Sequence, residues 1–205
     1  LVELGYKVFL NIMQISSIKP SEVSNLASVV KDWNSIEVLY FADSLGNMES
    51  DDVKNIINSI SQEWKRPIGI HTHDNKNLAL SNSFKALEHG VTFIDATVLG
   101  MGRGAGNARM EDLLIELTSK GYGEYNPDSI FPIVSNDFTV LKNKYKWGSN
   151  IYYFLSAIHN IHPTYIQEML GDQRYDNDQK LSAINFLKST GASIYSFDNM
   201  MKAIS

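Results

Sequence analysis

The stretch GIHTHDN, residues 69–75, sets two of the chain's five histidines, His71 and His73, one residue apart. An apolar run ends there and an acid–amide pair, Asp74 and Asn75, begins. Side chains alternate between the faces of an extended strand, so His-X-His puts both imidazoles on one side. Two neutral imidazoles converging on one point suit a divalent first-row metal ion. The bland alternative is one buried, hydrogen-bonded histidine beside a solvent-facing one, and spacing alone leaves both open. A second cluster, GMGRGAGNA at 100–108, has four glycines in seven residues. Such a loop turns sharply and brings backbone close to a ligand. It reads either as a phosphate cradle or as a tight strand-to-helix turn. A GxGxxG spacing is a weak signal without the Lys-Ser/Thr pair of a P-loop. Asn107, at the end of the loop, can offer a carbonyl oxygen to a hard or borderline metal.

These residues sit in a repeating pattern of strand and helix. Strand-like runs are YKVFLNIMQI (6–15), IEVLYFADS (36–44), PIGIHTH (67–73) and VTFIDATVL (91–99). Between them lie helical patterns. The first carries Val23, Leu26, Val29 and Val30 on one face, with Ser21 as the expected cap. The second carries Val53, Ile56, Ile57 and Ile60 behind Ser50. The third carries Leu80, Phe84 and Leu87 and stops near Gly90. A fourth helix is expected near Glu111 to Ser119. Near-continuous apolar strands alternating with helices predict a parallel sheet covered on both faces. In such folds the working residues gather at the C-terminal ends of strands. Those ends here carry Asn11 and Gln14, Asp43 and Ser44, the histidine pair with Asp74, then Asp95 and Thr97. Four such units fit part of an open doubly wound sheet or half of a (β/α)8 barrel, since a whole barrel takes about 250 residues. From about Tyr122 the texture changes. GYGEYNPDSIFP is linker-like, and residues 125–205 read as a helical C-terminal region appended to a βα part at 1–124. Trp147, Tyr152, Tyr153 and Phe154 are expected in its core, and His159 and His162 at helix ends or turns.

Composition narrows the function. Net charge is −5 and Lys and Arg form no cluster along the sequence, which argues against nucleic acid as a partner. There is no cysteine, hence no disulfide and no thiolate metal site. No apolar run is long enough for a membrane helix, and no secretory signal opens the chain, so a cytoplasmic location is expected. The opening LVELG reads as the last turn of a helix stopped at Gly5, so further sequence is expected ahead of residue 1.

Three ordered motifs carry a resemblance: FADSLGNM (41–48), HTHDN followed by LALSNS, and DATVLGMGRGAGNARMEDLL. Together they resemble the metal-dependent pyruvate aldolases and their relatives, among them 4-hydroxy-2-oxovalerate aldolase, hydroxymethylglutaryl-CoA lyase and the 2-isopropylmalate and homocitrate synthases. The likeness covers about residues 5–120. It implies an α/β fold that is the second half of a (β/α)8 TIM barrel, strands five to eight. It further implies that His71, His73 and Asn107 bind a divalent ion, Mn²⁺, Mg²⁺ or Zn²⁺. The family's remaining metal ligand, an Asp, and its catalytic Arg and His belong to a segment that matches nothing in this chain. Asn11, Ser44 and Thr97 are candidate contacts to a small 2-oxo acid substrate.

The activity implied is cleavage of a 4-hydroxy-2-oxo acid to pyruvate and an aldehyde. An acyl-CoA-dependent synthase or lyase, or a non-catalytic partner-binding relative, is the alternative. The helical tail is similar in size to the segment with which the bacterial aldolases help bind an acylating aldehyde dehydrogenase, WGSNIYYFLSAI (147–158) being its counterpart. Unpaired sheet edges predict association, including with a second copy of the chain.

Overall fold

A computed structural model describes residues 1–204. A 3-10 turn, Val2–Leu4, is closed by Gly5 in the left-handed conformation (φ 79°). There follow β1 (Val8–Ile12), α1 (Pro20–Val30), β2 (Ile36–Asp43), α2 (Ser50–Glu63), β3 (Ile68–Thr72), α3 (Ala79–Glu88), β4 (Phe93–Ile94) and α4 (Met110–Ser119). The four strands are parallel and pair in the order β1-β2-β3-β4. Each strand therefore lies beside its neighbour in sequence, joined by one helical crossover.

The period-two pattern decides where the core sits. Leu39, Phe41, Ile68 and Ile70 point to one face and pack with Val23, Ala27 and Val30 of α1, Val53, Ile56, Ile57 and Ile60 of α2, and Ala86 of α3. Val8, Leu10, Ile12 and Ile94 join this layer. Fully burying each such side chain stabilises by about 1.5–3 kcal/mol. The opposite face is different. Phe9, Tyr40 and Phe93 form an aromatic patch there, with Phe9 5.4 Å from Phe93 and 6.0 Å from Tyr40 between ring centroids. Phe9 remains 44% exposed and Asn11 is also exposed. The expectation of helices on both faces is thus corrected: α1, α2 and α3 pack on one face, and the aromatic face is left uncovered at β1.

Several boundaries also differ from the sequence reading. α1 begins at Pro20 behind Lys19, whose backbone N–H donates to Glu22 (3.3 Å), because proline is pre-set for a first helical position. Ser50 is the first residue of α2 and Glu49 its cap, with the Glu49 N–H donating to Asp52 (2.9 Å). Leu26 and Val29 are exposed, since the buried stripe of α1 runs through Val23, Ala27 and Val30 instead. β1 ends at Ile12, and Gln14 then adopts φ 52°. The expected fourth strand shrinks to Phe93–Ile94, because the chain leaves the sheet for a 3-10 turn at Val98–Gly100.

The remainder is helical. α5 (Phe131–Ile133) runs through a π turn into α6 (Thr139–Tyr145), followed by α7 (Ile151–Ile158), α8 (Pro163–Gly171), α9 (Asn177–Thr190) and α10 (Phe197–Ala203). A separate core of Tyr153, Ile161, Tyr165, Ile166, Ile184 and Leu187 holds it together. Trp147 and Tyr153 are buried, whereas Phe154 is 39% exposed on the outer side of α7. This half is seated on the rim where β2, β3 and β4 end. Asn47 Nδ2 donates to Asn160 (2.6 Å), Ser149 Oγ to the Asn75 carbonyl (3.0 Å) and Trp147 Nε1 to the Leu99 carbonyl (3.0 Å). Among the described residues no helix is long and apolar enough to cross a membrane.

Candidate metal centre

Register brings the first pair together. Ile70 lies opposite Ile94, so His71 falls beside Asp95, and His71 Nδ1 is 2.9 Å from Asp95 Oδ2. With the proton on Nδ1 facing the carboxylate, the lone pair of Nε2 is left open, the arrangement that orients a metal-binding imidazole. Tyr40 lies on the same face near Asp95; burial first, and then that carboxylate, push its phenol up. His73 stands two residues beyond His71. The rings meet edge to face, with centroids 5.0 Å apart and planes at 77°. Burial pushes His73 down to about 4, with His71 and Arg103 adding to the effect and a backbone hydrogen bond at Gly106 opposing it. At neutral pH its ring is uncharged and its lone pair available.

The glycine-rich loop folds back onto this strand end. Asn107 forms an isolated antiparallel bridge with His73, Asp74 N donates to the Gly106 carbonyl (2.9 Å) and Ala108 N to the Thr72 carbonyl (3.3 Å). Glycine is required at 106: φ is 82°, and a Cβ there would come within 2.2 Å of the Gly100 carbonyl oxygen. Asn107 is buried; its Nδ2 donates to the Met101 carbonyl (3.2 Å), but its Oδ1 is buried without a hydrogen-bond partner among the described residues. The start of the loop is clamped. Leu99 adopts φ 50°, its N–H donates to Glu111 Oε2 (3.0 Å) and its carbonyl accepts from Trp147.

The structure therefore brings His71, His73 and Asn107 to one strand end. The other sequence candidates stand differently. Asn11 pairs with Tyr40, one row below Ala42 and His71, and makes no side-chain hydrogen bond among the described residues. Ser44 is buried and its Oγ accepts from Gln14 N (2.9 Å). Thr97 is tied by its backbone to Arg109, with its hydroxyl buried and unpartnered. His159 follows the end of α7, and His162 caps α8, accepting from Thr164 N (3.3 Å). Sequence reasoning assigned no role to Asp95, Tyr40, Arg103 or Glu111. Only Asp95 left a signal, as a strand-end acid beside the histidine strand.

Two imidazole nitrogens and one amide oxygen form a borderline-to-hard donor set. The unsatisfied Asn107 Oδ1 fits a cation, because a buried acceptor without a donor is otherwise a rare and costly feature. No three His, Cys, Asp or Glu side chains group around a point among the described residues. The described residues thus bring two imidazoles and one amide oxygen to this strand end and no carboxylate or thiolate that completes a set of three around a point.

Comparison with known proteins agrees with this reading of the fold. The chain is 33% identical over 120 residues to the 4-hydroxy-2-oxovalerate aldolase of Carboxydothermus hydrogenoformans, 58% of this chain and 35% of that one. It is 33% identical over 119 residues to the enzyme of the same name from Geobacillus genomosp. 3, again 58% and 35%. The match thus spans about a third of the length of these curated relatives. The structure superposes on the N-terminal domain of a "putative aldolase" from Bacteroides vulgatus with TM-score 0.74 and 29% identity, over 98% of this chain and 59% of that one. It shares its fold with the carboxyl transferase domain of Rhizobium etli pyruvate carboxylase, at TM-score 0.75 and 15% identity, over 99% and 37%. The pattern of the HMGL-like family matches residues 2–134, from the turn ahead of β1 into the helical half. That is well over half of the 205 residues, and the chain belongs to the HMGL-like family.

Proposed function

We propose that this chain is the metal-holding half of a (β/α)8 barrel in a divalent-metal-dependent aldolase that cleaves a 4-hydroxy-2-oxo acid to pyruvate and an aldehyde. The observation that carries the reading is the convergence of His71 and His73 on one strand end beside a buried, unsatisfied Asn107 oxygen. The half-barrel is supported by the sequential strand order, by helices on one face and by the uncovered aromatic face. A doubly wound sheet would place helices on both faces.

His71 Nε2, a His73 ring nitrogen and Asn107 Oδ1 would hold the ion, Mn²⁺, Mg²⁺ or Zn²⁺, with a further anionic ligand supplied from outside the described residues. A bound divalent ion supplies Lewis-acid stabilisation of the charge that develops on a 2-oxo acid as its carbon–carbon bond breaks. The chain's own residues do the positioning. Asp95 fixes the tautomer and angle of His71. Burial keeps His73 unprotonated. The Glu111–Leu99 clamp sets the loop that presents Asn107. Ser44 and Thr97 stand at the same rim as candidate substrate contacts. The resemblance assigns the base that takes the 4-hydroxyl proton to a segment that matches nothing in this chain. α7 carries an exposed apolar stripe, Ile151, Phe154 and Ile158, suited to a protein partner such as an acylating aldehyde dehydrogenase.

The test is pyruvate release from 4-hydroxy-2-oxovalerate by the full-length protein that contains this half-barrel. Turnover is expected to vanish with chelator and return with Mn²⁺. His71→Ala and His73→Ala should lower metal affinity by more than the roughly 10–100-fold of a change in a supporting residue. His159→Ala should leave activity intact. Turnover indifferent to chelation and to loss of His73 would remove the assignment and favour a non-catalytic, partner-binding role.

A further inference from the structure

The loop at 99–107 has a second side. Two cavities of about 690 and 610 Å³ lie between it and the start of the helical half, and they share Lys146, Trp147 and Asn150. Their size is that of sites for small organic molecules. Arg103, Lys144 and Lys146 line the larger, and no acidic residue does. Lys142 and Lys146 line the smaller with Arg109, which is already paired with Asp112 at 2.6 Å. The one acid in that wall, Asp74, directs its carboxylate to the backbone N–H of Ala79 (3.0 Å). Arg103, Lys142, Lys144 and Lys146 enter no salt bridge among the described residues. Three such cations, Arg103, Lys144 and Lys146, around the larger crevice are not what composition dictates in a chain of net charge −5.

A simpler explanation covers part of this. Lys142 and Lys144 occupy the last turn of α6, where cations offset the helix dipole. That argument does not reach Arg103, which comes from the glycine-rich loop on the opposite wall. Nor does it reach Lys146. This residue follows α6 at φ 55°, ψ 38°, the left-handed position that glycine or asparagine usually takes. A lysine held where its own Cβ is disfavoured directs attention to its side chain. Trp147 and Tyr153 add aromatic wall to the same crevice.

We propose that this crevice binds the phosphate group of a small organic molecule, with Arg103, Lys144 and Lys146 on the oxyanion and Trp147 and Tyr153 against the organic part. Three cations without a carboxylate partner on one lining match a group of charge −2 better than a single carboxylate, and Arg103 Nη1 is held toward the helical half by Thr164 Oγ1 (3.4 Å). The site lies behind the loop that presents Asn107 and goes beyond the aldolase reading.

The experiment is calorimetric titration of metal-stripped protein, at low ionic strength and without phosphate buffer, using inorganic pyrophosphate, ribose 5-phosphate and AMP. At least one probe is expected to saturate, and added salt to weaken it. Arg103→Ala and Lys146→Ala should each weaken binding about tenfold or more, the loss expected for a charge-assisted hydrogen bond. Lys188→Ala, on the exposed side of α9, should leave it unchanged. AMP binding more tightly than ribose 5-phosphate assigns the site to a nucleotide, and equal binding of the two assigns it to a sugar phosphate; pyrophosphate binding with neither organic phosphate bound leaves Trp147 and Tyr153 without a role and overturns the proposal. Flat titrations with all three probes, or affinities unchanged in both variants, overturn the proposal. Circular dichroism of each variant guards against misfolding. Mn²⁺ binding, followed by electron paramagnetic resonance in parallel samples, reports separately on the histidine pair.

Discussion

Replacing Gly46 with alanine should be among the most damaging single-methyl changes in this chain. Gly46 sits in the loop after β2 at φ 60°, and a Cβ there would lie 2.4 Å from Asn75 Oδ1 and 2.7 Å from Asn75 Cβ. Two effects add. A left-handed backbone costs a non-glycine residue about 1–2 kcal/mol. Forcing a methyl group into a filled space costs about 1–3 kcal/mol more. Asn75 cannot readily retreat, being buried and having its carbonyl held by Ser149. The expected loss is therefore about 2–5 kcal/mol by urea denaturation. Gly90→Ala is the control: φ is 89°, but nothing lies within 4 Å of the added carbon, so only the backbone effect of about 1–2 kcal/mol remains. The double variant Gly46→Ala/Asn75→Gly removes the obstructing side chain and should recover the steric share. Equal losses for Gly46→Ala and Gly90→Ala would show that the two motif loops are not rigidly packed, and the reasoning would fail.

Asp43 tests burial against hydrogen bonding. Burial raises its carboxyl to about 6, although the N–H groups of Asn47, Met48 and Gly46 favour the charged form. A folded pKa above the unfolded 3.8 means stability present at low pH and lost as pH rises through 6. Measured against Asp43→Asn, the wild type should gain up to about 3 kcal/mol between pH 7 and pH 4; a slope of the opposite sign would show that the N–H bonds win. Asp95→Ala should weaken Mn²⁺ binding about 10–100-fold with a change in stability of about 1 kcal/mol or less, since the pair it breaks is partly open to solvent. Trp147→Phe keeps a ring and loses the N–H bond to Leu99. Stability should fall by about 1 kcal/mol, and Mn²⁺ affinity with it. Unchanged affinity in calorimetry would disconnect the helical half from the metal loop.

What was legible in the sequence followed from periodicity. Strands and helices alternate from β1 to α4 because the apolar residues change from one spacing to the other, and the shared face of His71 and His73 is a property of any strand. What failed depended on neighbours. VTFIDATVL has the composition of a nine-residue strand, yet only Phe93–Ile94 is regular, since β4 pairs on one side alone and the chain turns away at Val98. Serine preference placed two helix caps wrongly by one or two residues, because Pro20 and the Asp52 side chain fix the starts instead. The Asp95 partner of His71 needs the register of β3 on β4, which no single strand contains. The contact of Trp147 with Leu99 joins residues 48 apart, beyond the reach of any local pattern.

That distant contact sets an order of assembly. Translation proceeds at about 5–20 residues per second, so Trp147 leaves the ribosome roughly 2–10 s after Leu99. Strand pairing and loop closure are far faster. For those seconds the growing chain carries both histidines on a formed strand end with Asn107 bridged to His73, while the Leu99 turn that starts the loop lacks its second clamp. The start of the loop that carries Asn107 is thus held by Glu111 alone until the helical half docks. On the proposed reading, the three donors gain their full support only once that half has docked, and the holding of an ion becomes a matter of timing as well as of donor atoms.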